Sequence, residues 1–180
     1  MMTEGGKRPV ELGLTIPLQR QTGHRAGPSG GSGPMYCWDL HGIELAGRRC
    51  LLGVQTSSRY SFVLYDLSPF QWQQLADTAV QAVGQCLHLE GFSAPQVDRY
   101  LALAGSAAYT KTHGRREVAF LNRAWFFCLE QELAVDTGRQ LQTGLMELCN
   151  TQPCRCAGHP GLGVARTRFW QDLAALGLRR

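Results

Sequence analysis

The stretch YCWDLHGIELAGRRCLLGVQTSSRYSFVLYDL, residues 36–67, decides the fold class of this chain. Its large apolar side chains, such as Trp38 and Leu40, stand at every second position, and this alternation is typical of a β-strand. Two further alternating runs follow at 48–56 and 60–67, each after a short turn candidate. Because turns this short join neighbouring antiparallel strands, the sequence predicts an antiparallel meander.

Helical patterns follow the meander. Ser68-Pro69 is a favourable helix start, and Leu75, Ala79 and Val83 then recur at helical spacing. We expect this stripe to pack on the sheet formed by residues 36–67. Further helices are predicted at 115–134, at 137–149 and around Phe169–Leu173. The predicted fold class is therefore α+β, a small antiparallel sheet (meander) packed against several α-helices.

Composition divides the chain into four segments. Val10, Leu12, Leu14 and Ile16 alternate with other residues and predict a short strand, which Pro17 limits. A Gly-, Ser- and Pro-rich stretch comes next and predicts a flexible loop. The predicted segments are an N-terminal strand segment at 1–22, a flexible loop at 23–35, an α+β core at 36–149, and a cysteine-containing turn with a C-terminal helix at 150–180.

The totals favour a cytoplasmic protein. The formal net charge of +4 is too small for a dedicated nucleic-acid binder, and no apolar run is long enough to span a membrane. The seven cysteines are odd in number and follow no signal-peptide pattern, which indicates a reducing compartment. We therefore expect no membrane partner.

A basic turn is the first candidate binding site. Lys111, Thr112, His113, Arg115 and Arg116 cluster where the helix at 115–134 is predicted to begin, and Asn122 follows within that helix. A helix N-terminus offers free amide donors and partial positive charge, so this cluster is suited to an anion or phosphate group, or to a partner protein. The alternative, which we favour, is a solvated basic turn without a ligand.

A cysteine-rich turn is the second candidate. Cys149, Cys154, Cys156 and His159 offer four zinc ligands within eleven residues. The segment Pro153-Cys154-Arg155-Cys156 resembles the start of the SEC-C zinc motif, but the terminal cysteine or histidine pair of that motif does not follow. We favour a turn with free thiols and expect no cofactor, with zinc as the alternative.

No catalytic constellation stands out in the sequence. Asp39 and His41 share one face of a predicted strand, and we interpret them as a polar sheet face rather than as an acid–base pair. No nucleophile-elbow, zinc-protease or phosphate-loop signature is present.

Short segments between residues 36 and 130 resemble the DUF6933 family of prokaryotic and viral proteins. The resemblance rests on Trp38–Leu40, 48–52, 58–61, 90–93, 110–113 and 121–123. It implies a compact α+β domain and no particular activity. It also singles out Lys111, Thr112, Arg116 and Asn122 as matching positions.

Three functions are compatible with these observations. We favour a non-enzymatic binding or regulatory protein, such as an inhibitor of a host system (for example a defence nuclease) carried by a mobile element. Its partner would be a protein or a protein–nucleic-acid complex. This hypothesis relies on the basic turn and on exposed aromatic side chains near the C-terminus. The alternatives are an enzyme or binding module for a phosphate-bearing or nucleotide ligand, and a zinc-stabilised adaptor.

Overall fold

A five-stranded mixed sheet forms the centre of the molecule. The computed structural model describes residues 10–180, so the part of the predicted N-terminal segment before Val10 lies outside the described residues. The sheet strands are β1 (Val10–Leu14), β2 (Cys37–Leu45), β3 (Arg48–Gln55), β4 (Ser61–Leu64) and β5 (Ala107–Lys111). Their order across the sheet is β4-β3-β2-β1-β5. A separate two-stranded sheet pairs β6 (Pro153–Cys154) with β7 (Gly163–Val164).

The predicted meander is confirmed for β2, β3 and β4, which pair antiparallel in sequence order. The strand β1 adds to it in parallel with β2, and β5 pairs in parallel with β1 on the other side. The α+β class is therefore confirmed, and two parallel pairings extend the antiparallel sheet that the sequence predicts.

Seven helices accompany the described strands. They are α1 (Ile16–Thr22), α2 (Pro69–Gln73), α3 (Leu75–Leu89), α4 (Ala94–Ala104), α5 (Arg115–Glu130), α6 (Thr143–Asn150) and α7 (Ala165–Ala175). Single 3-10 turns occur at Pro34–Tyr36 and Glu132–Ala134. Ser68 and Gln71 form a capping box at the start of α2, as the Ser-Pro helix start leads one to expect.

Hydrophobic residues cover both faces of the sheet. On one face Trp38, Leu40 and Phe62 belong to a buried cluster that also contains the predicted Leu75/Ala79/Val83 stripe and side chains of α4 and α7. On the other face Leu52, Val54 and Val63 pack with side chains of α5 and α6. The sheet is thus enclosed between two helical layers, which explains why so few of its positions are polar and exposed.

Three local features differ from the sequence prediction. The alternation from Val10 continues to Ile16, but the strand ends at Leu14 and α1 begins at Ile16 with Pro17 in its first turn. The helix predicted from Pro69 is interrupted at Gln74, which separates α2 from α3. The helix predicted from residue 137 begins only at Thr143.

Chain segments outside the strands pair with both edges of the sheet. At the β4 edge, the backbone amide of Ser61 donates to Asn150 Oδ1 at 2.7 Å, and Asn150 Nδ2 donates to the Ser61 carbonyl at 2.9 Å. At the β5 edge, the backbone of Gly27 bonds to Tyr109 and Lys111. The exposed edge groups of the sheet are therefore partly satisfied within the chain.

Within residues 10–180, no helix combines the length and the apolar character that a membrane crossing requires.

Candidate functional site

A cleft of about 970 Å³ opens between α5 and the cysteine-rich turn at 153–162. The helix supplies Arg116, Phe120, Arg123 and Phe127 to one wall. The turn supplies the opposite wall, which includes Cys154, Arg155, Cys156 and Leu162, and Arg59 and Ser61 also line the cleft. We name this the arginine cleft, because four arginines line it: Arg59, Arg116, Arg123 and Arg155.

Arg59 is the buried cation of the arginine cleft. Its side chain is only 5% exposed, and its Nη2 lies 3.1 Å from Oε1 of Glu117. The Arg59 guanidinium lies over the Phe120 ring, 5.2 Å from the ring centroid, and the Arg123 guanidinium lies 5.7 Å from the same centroid. Phe120 therefore orients two guanidinium groups by cation–π contact.

The arginine cleft carries more positive charge than its own carboxylate can neutralise. Glu117 is paired with Arg59, whereas Arg116, Arg123 and Arg155 have no carboxylate within salt-bridge distance among the residues described. In addition, Nε of Arg59 is buried and has no hydrogen-bond partner within residues 10–180. A buried N–H without an acceptor is costly, so the Arg59 guanidinium keeps a hydrogen-bonding group that the described residues do not use.

The cysteine-rich turn is organised around an arginine side chain. Arg168 of α7 is buried, and its Nη1 donates to the Cys154 carbonyl at 2.7 Å and to Cys156 Sγ at 3.2 Å. Its Nη2 donates to the Gly161 carbonyl at 2.9 Å. At Gly158 a Cβ atom would come within 1.9 Å of Ser57 Oγ, so only glycine allows the turn to pack this closely.

The four predicted zinc ligands are not brought together. Cys149 Sγ lies 3.7 Å from Cys128 Sγ, His159 Nε2 lies 2.8 Å from Asp172 Oδ1, and Cys156 contacts Arg168. Burial raises the pKa of the Cys154 thiol. Within residues 10–180, one group of three or more histidine, cysteine or carboxylate ligand atoms lies within 4.8 Å of one another, and it contains none of these four residues.

The predicted basic turn is divided between two surroundings. Arg116 lines the arginine cleft, whereas Lys111, Arg115 and Asn122 are exposed and do not, and Thr112 is half-buried outside it. The N-terminus of α5 also has a carboxylate of its own, because Glu117 Oε2 lies close to Gly114.

His113 turns away from the arginine cleft and into the protein. Its side chain is 10% exposed, with Nδ1 at 2.7 Å from Asp39 Oδ1 and Nε2 at 2.9 Å from Glu11 Oε2. Glu11 also accepts from Ser29 Oγ at 2.7 Å and from the Ser32 amide at 2.8 Å. We call Glu11, Asp39 and His113 the buried charge cluster.

In the buried charge cluster, hydrogen bonds and neighbouring charges shift the pKa values of His113 and Glu11 more than burial does. Burial favours the neutral form of His113, but hydrogen bonds and charge from Asp39 and Cys37 raise its pKa to about 11. Burial likewise opposes the charge of Glu11, but hydrogen bonds from Ser32, Ser29 and His113 lower its pKa to about 2. The cluster is thus an imidazolium between two carboxylates.

Asp39 and His41 form a buried face of the sheet, which corrects their interpretation as a simple polar face. The two residues do share one face of β2, but both are buried: Asp39 bonds to His113, and His41 Nδ1 lies 2.9 Å from Thr15 Oγ1. The face is covered because α5 packs on it, with His41 edge-on to Trp125.

Sequence reasoning overlooked Glu11. One signal is a lone carboxylate within an alternating apolar strand, between Val10 and Leu12. A charged residue at such a position is almost never fully buried unless it is paired. The following Gly13 is a second signal, because a Cβ there would lie 1.9 Å from Asp39 Oδ1.

The aromatic residues near the C-terminus are not an exposed surface. Phe169 is buried and stacks on Tyr60 with ring centroids 4.2 Å apart. Trp170 is half-buried, and its Nε1 donates to Glu90 Oε2 at 2.8 Å. These contacts remove one of the arguments for a protein partner at this end of the chain.

Comparison with known proteins identifies a family. No curated protein matches the chain. The profile of the family described as "Domain of unknown function (DUF6933)" matches residues 11–161, which include the meander, the buried charge cluster and much of the arginine cleft. The match covers most of the chain, so the protein belongs to the DUF6933 family.

Proposed function

We propose that this protein is a binding module for a phosphate-bearing ligand, a nucleotide, held in the arginine cleft. The proposal rests mainly on Arg59. This residue lines the cleft, its guanidinium is buried, and its Nε has no hydrogen-bond partner among the described residues. Arginine is the residue best suited to phosphate, because its planar donors match two phosphate oxygens at once.

The rest of the lining supports a ligand with both charge and a flat apolar part. Arg116 and Arg123 supply uncompensated charge on α5, and Phe127 and Leu162 supply apolar surface. A volume of about 970 Å³ lies within the range of small-molecule sites and accommodates a nucleotide. This proposal combines the binding-protein interpretation with the nucleotide alternative, and the seven free thiols are consistent with a cytoplasmic setting.

Calorimetric titration with ATP, AMP, adenosine and pyrophosphate tests the proposal. We expect ATP and pyrophosphate to bind more tightly than adenosine, and binding to weaken as salt rises, since part of the cleft is open to solvent. We expect Arg123→Ala to weaken ATP binding about tenfold, the loss of one charge-assisted contact. If no phosphate compound binds below about millimolar concentration, the proposal is wrong.

Two matched controls on α5 locate the binding. Arg115→Ala removes the same charge as Arg116→Ala, but Arg115 does not line the cleft, so we expect only Arg116→Ala to weaken ATP binding appreciably. Similarly, Phe126 is exposed outside the cleft, and Phe126→Leu should leave binding unchanged. Phe127→Leu should weaken the binding of ATP more than that of pyrophosphate, because only ATP carries a ring. Release of phosphate during the titration would indicate an enzyme instead.

A further inference from the structure

Two members of the buried charge cluster, Glu11 and His113, form a group of possible metal ligands with Cys37. A carboxylate oxygen of Glu11, the thiol sulfur of Cys37 and an imidazole nitrogen of His113 all lie within 4.8 Å of one another. Glu11 and Cys37 are register partners on the parallel strands β1 and β2, so their side chains share one face of the sheet. His113 follows β5 and turns back over the same face.

We propose that Glu11, Cys37 and His113 bind a zinc ion through the carboxylate, the thiolate and Nε2. A set of one thiolate, one imidazole and one carboxylate is characteristic of zinc among the common biological cations, whereas magnesium and calcium prefer oxygen ligands alone. Three protein ligands leave the fourth position of the tetrahedron to water or to a further ligand.

The spacing of the three groups suits one tetrahedral ion. Zinc bonded to nitrogen and oxygen at about 2.0 Å and to sulfur at about 2.3 Å holds its ligand atoms about 3.3–3.6 Å apart. Glu11 Oε2 and His113 Nε2 lie 2.9 Å apart, slightly closer than this value, and all three ligand atoms lie within 4.8 Å of one another. Zinc would replace the proton that His113 shares with Glu11 and the thiol proton of Cys37, and both protons would be released to solvent.

Asp39 already holds the imidazole as a metal-bound histidine is usually held. Its Oδ1 lies 2.7 Å from His113 Nδ1, and its carboxylate also accepts from the His113 amide. A carboxylate on the outer nitrogen fixes the tautomer that leaves Nε2 free for the metal. Gly13 makes room for this pair, since a Cβ there would lie 3.1 Å from His113 Nδ1.

This site is separate from the cysteine-rich turn that the sequence singled out for zinc. Its ligands come from β1, β2 and the turn after β5, and none of them lines the arginine cleft. Zinc binding at this site therefore does not depend on nucleotide binding in the arginine cleft.

Titration of the chelator-treated full chain with Co²⁺ tests the proposal, because Co²⁺ replaces zinc and reports its ligands by absorption. We expect one Co²⁺ per chain, a thiolate-to-cobalt charge-transfer band, and visible bands of tetrahedral intensity that disappear when one equivalent of Zn²⁺ is added. Cys37→Ser should abolish the charge-transfer band, whereas Cys154→Ser should retain it in full. The absence of a thiolate band in wild type, or its loss in Cys154→Ser but not in Cys37→Ser, would overturn the proposal.

A second measurement begins with the wild-type protein and adds one variant of similar side-chain size. Zn²⁺ should raise the Tm of the wild-type protein, because binding to the folded state alone stabilises it. His113→Asn, which retains a hydrogen-bonding side chain of similar size, should remove most of that rise. An equal rise in His113→Asn, or no rise in wild type, would contradict the site.

Discussion

The buried charge cluster and the arginine cleft differ in whether their charged side chains have partners of opposite charge. In the cluster, the His113 imidazole lies between Glu11 and Asp39, and each carboxylate has further donors. In the cleft, Arg116 and Arg123 have no carboxylate partner among the described residues, although Glu117 pairs with Arg59. A charge that the fold itself neutralises stabilises the fold, whereas a charge left without a partner is available to a ligand.

The largest effect that follows from this comparison is a loss of stability on removing one member of the cluster. Asp39→Ala leaves the His113 imidazolium buried with one carboxylate fewer, and we expect a loss of about 3–5 kcal/mol in the free energy of unfolding. Urea titration measures it.

The matched control for this variant is Asp136→Ala. It removes a carboxylate from an exposed pair with Arg139 and should cost about 0–1 kcal/mol. Equal losses in the two variants would show that burial does not distinguish the cluster.

A smaller loss of stability is expected when a methyl group is added at Gly13, which lies against Asp39 of the cluster. In Gly13→Ala the new methyl group would meet Asp39 Oδ1 at 1.9 Å, so Asp39 must move away from His113. We expect a loss of about 1–3 kcal/mol, typical of overpacking, measured by urea titration.

Gly144→Ala is the control for the effect of glycine itself. Gly144 lies in the first turn of α6 with no atom within 4 Å of an added Cβ. That substitution should be neutral or stabilising by up to about 1 kcal/mol. A neutral Gly13→Ala would mean that Asp39 has room to move without cost.

The stability of the metal-free protein should decline on both sides of a pH window set by the cluster. The pKa of His113 is raised from 6.5 to about 11, so its contribution is complete below 6.5 and is lost as pH rises toward 11. The pKa of Glu11 is lowered from 4.5 to about 2, so its contribution is complete above 4.5 and is lost as pH falls toward 2.

Urea titrations at about pH 6, 8 and 9.5 test the alkaline side of this window. We expect wild type to lose up to about 4 kcal/mol more than His113→Asn over this range, because only wild type carries the imidazolium. Parallel pH dependence in the two proteins would contradict an imidazolium in the cluster.

The smallest effect concerns the one carboxylate of the arginine cleft. Glu117→Gln removes the charge that competes with a ligand for Arg59, while the amide oxygen can still accept from Arg59 Nη2. We expect ATP affinity to rise about two- to fivefold, while unfolding becomes easier by about 1 kcal/mol. Calorimetry and urea titration measure the two changes.

An exposed carboxylate on the same helix provides the control. Glu130 lies at the end of α5, outside the cleft. We therefore expect Glu130→Gln to change neither ATP affinity nor the free energy of unfolding appreciably. Unchanged ATP affinity in Glu117→Gln would show that Glu117 does not compete with the ligand for Arg59.

Local patterns in the sequence were sufficient to predict the central architecture. Alternation at 36–67 and the Leu75/Ala79/Val83 stripe predicted the meander and a helix packed on it, because such periodicities follow from strand and helix geometry alone. The basic turn was also located at the start of a helix, and one of its residues, Arg116, lines the arginine cleft.

Contacts between distant segments could be decided only by the tertiary structure. Glu11 and His113 are 102 residues apart and meet because β1 and β5 pair in parallel, which no local pattern specifies. The same holds for Arg168, whose guanidinium takes the central place in the cysteine-rich turn where the sequence suggested a metal. Sequence periodicity determines which face a side chain occupies, but the partner across that face depends on how the elements assemble.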